Sequence, residues 1–130
     1  MSAKRILCVD TNPYFRGFVT RFLSDSGYEV AATATAREMI SLLPKRPDHY
    51  DLLLVADWLP DMDSSEFFPA LRSIPFRGRI VVTVPELSPE EKTKYRSLGA
   101  FSFLLTPVGY SDILRVVNPP AADARKTSAA

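Results

Sequence analysis

The sequence places a group of carboxylates directly after its most apolar segment. Residues 52–55 read L-L-L-V, and Asp57, Asp61 and Asp63 follow within a few positions. An unbroken apolar run of this length is typical of a strand that is buried on both faces of a parallel sheet. Open α/β sheets place their chemistry at the carboxyl ends of such strands. The segment 56–63 is therefore the first candidate for a functional site.

Residues with polar side chains also follow other predicted strands of the chain. Because the carboxyl ends of parallel strands meet at one edge of a sheet, these residues are expected to gather around segment 56–63. Three pairs belong to this predicted edge: Asp10 with Thr11, Thr83 with Val84, and Thr106 with Pro107.

Five strand patterns alternate with five helix patterns along the chain. The strands are predicted at residues 4–10, 28–33, 52–55, 79–84 and 101–105, and helices are predicted between them and after the last. This alternation predicts an α/β fold, a three-layer αβα sandwich with a five-stranded parallel sheet that is doubly wound in the order (βα)5. Residues 1–118 are expected to form the domain, and residues 119–130 a disordered tail or linker.

The clearest helix signals surround the fourth helix. Ser88 is a suitable N-cap, Pro89 suits the first helical position, and Glu91 can close a capping box. Gly99 can end the same helix in a left-handed conformation. Thr11 or Asn12 is expected to cap the first helix.

The overall composition excludes several classes of function. Lys and Arg number 16 against 15 Asp and Glu, a net charge of +1, so nothing favours nucleic acid or membrane as a partner. No apolar run approaches the length of a membrane span and no signal peptide begins the chain, so a cytoplasmic location is expected.

No arrangement of residues predicts an enzyme. Cys8 lies in a predicted buried strand and is expected to be a small core residue. His49 lies in a polar turn and is expected at the surface. Neither a Ser-His-Asp nor a Cys-His arrangement has plausible spacing, and phosphate-binding glycine motifs are absent from the sequence.

The layout resembles the receiver domain of bacterial two-component response regulators, which has the flavodoxin-like or CheY-like fold. The resemblance covers residues 4 to about 117. Four motifs in this order carry it: I-L-C-V-D, S-G-Y-E-V, Y-D-L-L-L-V with L-P-D-M-D-S-S-E, and L-G-A-F-S-F-L-L-T-P.

The resemblance implies a phosphorylation site, which this sequence fills incompletely. In the family, an Asp that ends strand three accepts a phosphoryl group with the help of Mg²⁺, an acidic pair, a Thr or Ser, and a Lys. Asp10 matches the first acid of the pair and is a weak candidate for a magnesium ligand. At the other positions the ungapped alignment places Thr11, Ala56, Val84 and Thr106. The resemblance therefore implies a vestigial pocket with no cofactor, formed by Asp10, Thr11, Ala56, Asp57, Thr83, Val84, Thr106 and Pro107.

A rival alignment makes Asp57 the phosphoacceptor. It needs one additional residue before Asp57 and one fewer before Pro60, which a bulge in the strand could supply. The alternation of side chains along a strand argues against this shift, because moving by one residue exchanges the two faces. Under this alternative the chain is an atypical but phosphorylatable receiver of a phosphorelay, and it would need Mg²⁺.

The preferred hypothesis is a degenerate receiver, or pseudo-receiver, which acts as a protein-interaction module in two-component signal transduction without aspartyl phosphorylation. The expected partner is a signalling protein or a further domain of the same protein. A third hypothesis is a receiver-like domain that binds a small molecule in the emptied pocket.

A switch and partner face is predicted on helix four, strand five and helix five. Phe103 aligns with the aromatic switch position of the family. With its neighbours it is expected to form an apolar patch, which is also a candidate interface for a homodimer. The predicted patch consists of Leu87, Tyr95, Phe101, Phe103 and Tyr110.

Overall fold

A computed structural model describes residues 4–45, 48–74 and 76–118 of the chain. Five parallel strands form one sheet in the order β2-β1-β3-β4-β5. The strands are β1 (Arg5–Val9), β2 (Glu29–Thr33), β3 (Leu52–Ala56), β4 (Arg79–Val84) and β5 (Ser102–Leu105). The helices are α1 (Pro13–Asp25), α2 (Ala36–Leu42), α3 (Ser64–Ser73), α4 (Pro89–Leu98) and α5 (Tyr110–Val117). The predicted doubly wound sandwich is confirmed.

Strand β3 lies at the centre of the sheet and separates two layers of core. It pairs with β1 along one edge and with β4 along the other, and helices cover both of its faces. Leu53 and Val55 pack on the side of α2, α3 and α4, whereas Leu52 and Leu54 pack on the side of α1 and α5. This double burial explains the continuous apolar run in the sequence.

The helices begin at the residues that the capping signals indicated. Asn12 accepts a hydrogen bond from the backbone N–H of Tyr14 at the start of α1. Ser88 and Glu91 form the predicted capping box, and Gly99 ends α4 with φ at 116°. These caps satisfy backbone groups that a helix cannot pair internally.

The sequence predicts a second helix over residues 35–43, and the helix in the structure is shorter. Thr35 is its N-cap rather than its first residue, and its side chain accepts a hydrogen bond from the N–H of Glu38. After Leu42 the chain tightens into a 3-10 turn, Leu43–Lys45, because Pro44 cannot continue the α-helical hydrogen bonding.

A two-residue antiparallel ribbon follows β3 and pairs Trp58–Leu59 with Met62–Asp63. It was not predicted, and it folds the acidic segment back on itself before α3 begins. The predicted tail, residues 119–130, lies outside the described residues. Across the described part of the chain, none of the helices is both long and apolar enough to cross a membrane.

Candidate functional site

The carboxyl edge of the sheet is assembled by backbone hydrogen bonds between neighbouring strands. The N–H of Asp10 donates to Thr33 at 3.1 Å, that of Asp57 to Thr83 at 3.0 Å, and that of Thr106 to Val84 at 2.9 Å. These bonds extend the strand ladders by one residue. They bring the ends of β1, β3 and β5 to the same edge, as the sequence predicted.

Asp10 is a half-buried carboxylate with local partners. Its carboxylate accepts a hydrogen bond from the N–H of Asn12 at 2.8 Å. Its main-chain carbonyl accepts one from the guanidinium of Arg16 at 2.7 Å. Desolvation raises the pKa of Asp10, although the Asn12 bond and the positive charge of Arg16 oppose that rise.

The second carboxylate at this edge belongs to Asp57, the residue that follows β3. Ala56 is partly buried and packs against the core layer that contains Val55. The Asp57 side chain is also partly buried, and desolvation is the main reason that its pKa is raised. The negative charges of Glu91 and Asp10 raise the pKa of Asp57 further. Asp10 and Asp57 therefore lie within electrostatic reach of each other.

The other residues predicted for the pocket differ in their exposure and in their partners. Thr11 is exposed, and Thr83 is buried. Val84 is buried in the core layer beside α4. Thr106 is exposed, and its hydroxyl donates to the carbonyl of Val84 at 3.4 Å. Pro107 follows Thr106 at the exposed end of the edge.

The donor groups at this edge do not fit a resident Mg²⁺ ion. Mg²⁺ requires oxygen ligands in near-octahedral geometry and is usually held by carboxylates. One Asp10 oxygen is already engaged by a backbone N–H, Thr11 offers a neutral hydroxyl, and Arg16 places a positive charge beside Asp10. Among the described residues, no group of three or more His, Cys, Asp or Glu side chains could hold a metal ion.

The other two acids of the candidate segment are helix caps. Asp63 accepts a hydrogen bond from the N–H of Ser65 and is the N-cap of α3. Asp61 accepts hydrogen bonds from the N–H groups of Ala36 and Arg37 at 3.0 and 2.9 Å. The segment after β3 therefore holds the start of α2, a helix that lies earlier in the chain.

The predicted apolar patch is not a single surface, and that expectation was wrong. Tyr95 is buried, and Leu87 and Phe103 pack against the same core layer. Phe101 lies under the guanidinium of Arg79, whose carbon is 5.1 Å from the ring centroid. Leu87, Tyr95 and Phe103 therefore belong to the core. Phe101 lies at the end of the sheet opposite to the acidic edge.

Tyr110, the fifth residue of the predicted patch, faces a different helix. Its ring centroid lies 5.2 Å from that of Phe18 and 4.5 Å from that of Phe22. Tyr110 therefore belongs to the α1 side of the sheet, because α5 covers the face opposite to α4. A homodimer through helix four, strand five and helix five stays a prediction, but the apolar patch no longer supports it.

Sequence reasoning missed a hydroxyl pair close to Asp57. The Ser64 hydroxyl at the start of α3 donates to the Tyr95 hydroxyl at 3.5 Å. Desolvation raises the pKa of Tyr95, the bond from Ser64 opposes this, and the charges of Asp57 and Glu91 add to the rise. The sequence held no local signal for this pair, because Ser64 and Tyr95 meet only when α3 and α4 pack against each other.

The fold and the acidic edge together define a receiver-type domain, and comparison with known proteins agrees. The family model of the response regulator receiver domain matches residues 6–118. The chain belongs to this family. Receiver domains are in general non-catalytic signalling modules that interact with other proteins or domains in two-component signalling.

Several known proteins are similar over most of this chain. The structure of the chemotaxis response regulator CheY4 of Vibrio cholerae is 30% identical with a TM-score of 0.78, covering 87% of this chain and 94% of that one. A CheY-like receiver domain protein of Methanospirillum hungatei is 26% identical with a TM-score of 0.79, covering 98% of both chains.

A curated relative is much longer than this chain. The two-component response regulator ARR11 of Arabidopsis thaliana is 28% identical over 111 residues, which are 84% of this chain and 21% of that protein. The chain therefore spans about a fifth of the length of this relative.

Proposed function

We propose that this receiver domain is a protein-interaction module of two-component signalling that works without aspartyl phosphorylation. The observation that carries the proposal is the absence of a cationic partner at Thr106, where the family places a lysine. Its neutral hydroxyl is bonded to the carbonyl of Val84. Phosphoryl transfer depends on neutralising the charge of the phosphoryl oxygens, and an uncharged threonine cannot replace a lysine in this.

The electrostatics of the pocket support the same proposal. Desolvation raises the pKa values of both Asp10 and Asp57, because burial makes the charged form of each carboxyl less favourable. A phosphoryl group would add further negative charge beside Asp10 and Glu91. A pseudo-receiver of this kind would have two conformations. A protein partner, or another domain of a longer protein, would select the conformation that it binds more tightly.

The proposal is tested by measuring the mass of the intact protein after incubation with Mg²⁺ and acetyl phosphate. We expect no phosphoryl adduct on the folded wild-type protein. The double variant Thr11→Asp with Thr106→Lys restores the missing acid and cation, and we expect it to gain one phosphoryl group. Adding Asp57→Asn to the double variant should remove that gain.

A phosphorylatable receiver that uses Asp57 is the second candidate. The observation in its favour is that the carboxylate of Asp57 is close enough to Asp10 for the charge of Asp10 to raise the pKa of Asp57. A phosphoryl adduct on the wild-type protein that disappears in Asp57→Asn would establish this candidate and overturn the pseudo-receiver proposal.

A further inference from the structure

An open groove with aromatic walls lies between α1 and α5. The rings of Phe18 and Phe22 are nearly parallel with centroids 6.1 Å apart, and the ring of Tyr110 lies against both. These rings are not fully covered, since Phe18 and Phe22 are partly buried and Tyr110 is 59% exposed. The groove has a volume of about 340 Å³, which exceeds the volume of a single aromatic side chain. Its lining consists of Gly17, Phe18, Arg21, Phe22, Asp25 and Tyr110.

Two residues of opposite charge border the aromatic rings. Arg21 and Asp25 lie one turn apart on α1, both are largely exposed, and their closest charged atoms are 4.0 Å apart. An exposed pair at this distance is weak, so both groups can take a second partner. A guanidinium can lie over the face of an aromatic ring, and a carboxylate can accept a hydrogen bond from a hydroxyl. The groove therefore suits the side chain of a tyrosine, which has both a ring and a hydroxyl.

The same helix carries an exposed tyrosine near its other end. Tyr14 is 86% exposed, more than any other large hydrophobic side chain in the described part of the chain. Tyr14, Phe18, Arg21 and Asp25 are spaced by four, three and four residues. This spacing is typical of a helix face that packs against a second helix. One face of α1 therefore presents a protruding tyrosine at its start and the groove toward its end.

A face of this kind is complementary to a second copy of itself. When α1 packs antiparallel against α1 of another copy, with the twofold axis midway between Phe18 and Arg21, Tyr14 of each copy faces Asp25 of the other. Each contact then occurs twice, as a closed dimer requires. Gly17 has no side chain that would close the groove to the incoming ring.

We propose that the chain forms a dimer in which Tyr14 of each copy inserts into the groove between α1 and α5 of the other. The ring of Tyr14 packs on the aromatic residues and beside the guanidinium of Arg21, and its hydroxyl donates to the carboxylate of Asp25. Because α1 has 13 residues and is about 20 Å long, the interface is smaller than a standard one, and association is weak. Neither Asp10 nor Asp57 takes part in this interface.

Sedimentation equilibrium at increasing protein concentration tests the proposal. The average mass of the wild-type protein should rise from that of the monomer toward that of the dimer. Tyr14→Ala should weaken association by about tenfold or more, and it should leave the fold intact because Tyr14 is exposed. Leu105→Ala is the matched control and should leave association unchanged. Leu105 is 55% exposed, but its neighbour Leu104 packs on the side of α1 and α5, so Leu105 faces the other side of the sheet.

A second variant separates the inserted side chain from the groove that receives it. Gly17→Gln fills the groove but keeps Tyr14, so alone it should also weaken association. A mixture of Tyr14→Ala and Gly17→Gln should associate more strongly than either variant alone. In the mixed dimer, Tyr14 of the Gly17→Gln chain can still enter the open groove of the Tyr14→Ala chain.

Three results would overturn the proposal. A wild-type protein that stays monomeric at every concentration would assign the groove to a different partner. A mixture that associates no more strongly than its components would show that Tyr14 does not enter the groove. A Leu105→Ala variant that weakens association as much as Tyr14→Ala would place the interface on another face of the molecule.

Discussion

Two aspartates lie at opposite ends of strand β3 in opposite electrostatic environments. Asp51 precedes the strand, and its carboxylate accepts hydrogen bonds from the N–H groups of Lys4 and Arg5, both at 3.0 Å. Desolvation raises the pKa of Asp51, but these bonds and the two positive charges outweigh it and lower the pKa overall. Asp57 follows the strand, and its pKa is raised, mainly by desolvation.

We expect Asp57→Asn to stabilise the protein at neutral pH. A carboxyl whose pKa is raised on folding contributes stability at low pH and loses it as pH rises through the folded pKa. The gain should therefore be largest near pH 7, vanish below the ordinary value of 3.8, and stay under about 1 kcal/mol because solvent screens the group. Urea unfolding between pH 3 and pH 8, a range that brackets the ordinary pKa of aspartate, measures it.

Asp51→Asn is the matched control and should have the opposite sign. The stability from Asp51 is present above the ordinary pKa of 3.8 and is lost as pH falls through the lowered pKa of the folded state. At pH 7 we expect a loss that stays under about 1 kcal/mol, because solvent screens this exposed group, and that disappears in acid. Two variants that change stability in the same direction at pH 7 would contradict these assignments.

The residue types of the candidate site could be predicted, but their partners could not. Asp10 and Asp57 follow strands, so their shared edge was predictable from topology alone. The bonds of Asp61 to Ala36 and Arg37 join segments about 25 residues apart, and no local pattern encodes them. The same holds for the Ser64–Tyr95 pair, because it depends on how α3 and α4 pack against each other.

At the level of elements, two glycines provide a matched pair of predictions. Gly78 precedes β4, where a Cβ atom would lie 2.5 Å from the ring of Phe76 and 2.8 Å from the carbonyl oxygen of Asp51. That carbonyl accepts the N–H of Arg79 at 3.0 Å, so the backbone cannot easily move away. Gly78→Ala should reduce the free energy of unfolding by about 1–3 kcal/mol.

Gly17 lies within α1, and a Cβ atom there would have no heavy atom within 4 Å apart from its chain neighbours and the backbone of its own helix. Gly17→Ala should therefore increase the free energy of unfolding by about 0.5–1 kcal/mol, because alanine favours helix and restricts the unfolded chain. Urea unfolding of the two variants side by side measures both effects. Equal effects of the two substitutions would show that the space around these glycines does not decide the outcome.

Elements with strong local signals were predicted closely, and those shaped by packing were not. The start of α4 at Pro89 and the bounds of β4 followed directly from capping residues and an apolar run. For α1 the apolar spacing predicts one core face, formed by Phe15, Phe18, Val19, Phe22 and Leu23. Val19 and Leu23 are fully buried, but Phe18 and Phe22 are only partly buried because they lie toward Tyr110 on α5.

At the scale of the whole molecule, Cys8 should report global unfolding. It is buried in β1 between β2 and β3, and desolvation, with the nearby charge of Asp10, raises the pKa of its thiol to about 12. Because the thiolate is the reactive form, labelling by a disulfide reagent requires the sheet to open. We expect the labelling rate to rise with urea as steeply as global unfolding does.

The control is Ser24→Cys in a Cys8→Ser background, which places a thiol at an exposed position of α1. It should react at once in the native protein. A labelling rate for Cys8 that does not depend on urea would indicate local opening of β1 and would contradict the prediction.

The whole fold was predictable because all five strand patterns alternate with helix patterns, and that alternation specifies a parallel sheet irrespective of side-chain detail.

The order of the strands also has a consequence for how the chain can fold during synthesis. Once β1 and β2 have paired, β3 joins the other edge of β1, and β4 and then β5 are added in sequence beyond it. Within the described sheet, no strand has to enter between two that are already paired. Translation delivers about 5–20 residues per second, which is slow compared with the closure of short loops. Each strand can therefore be added to a growing sheet as it leaves the ribosome.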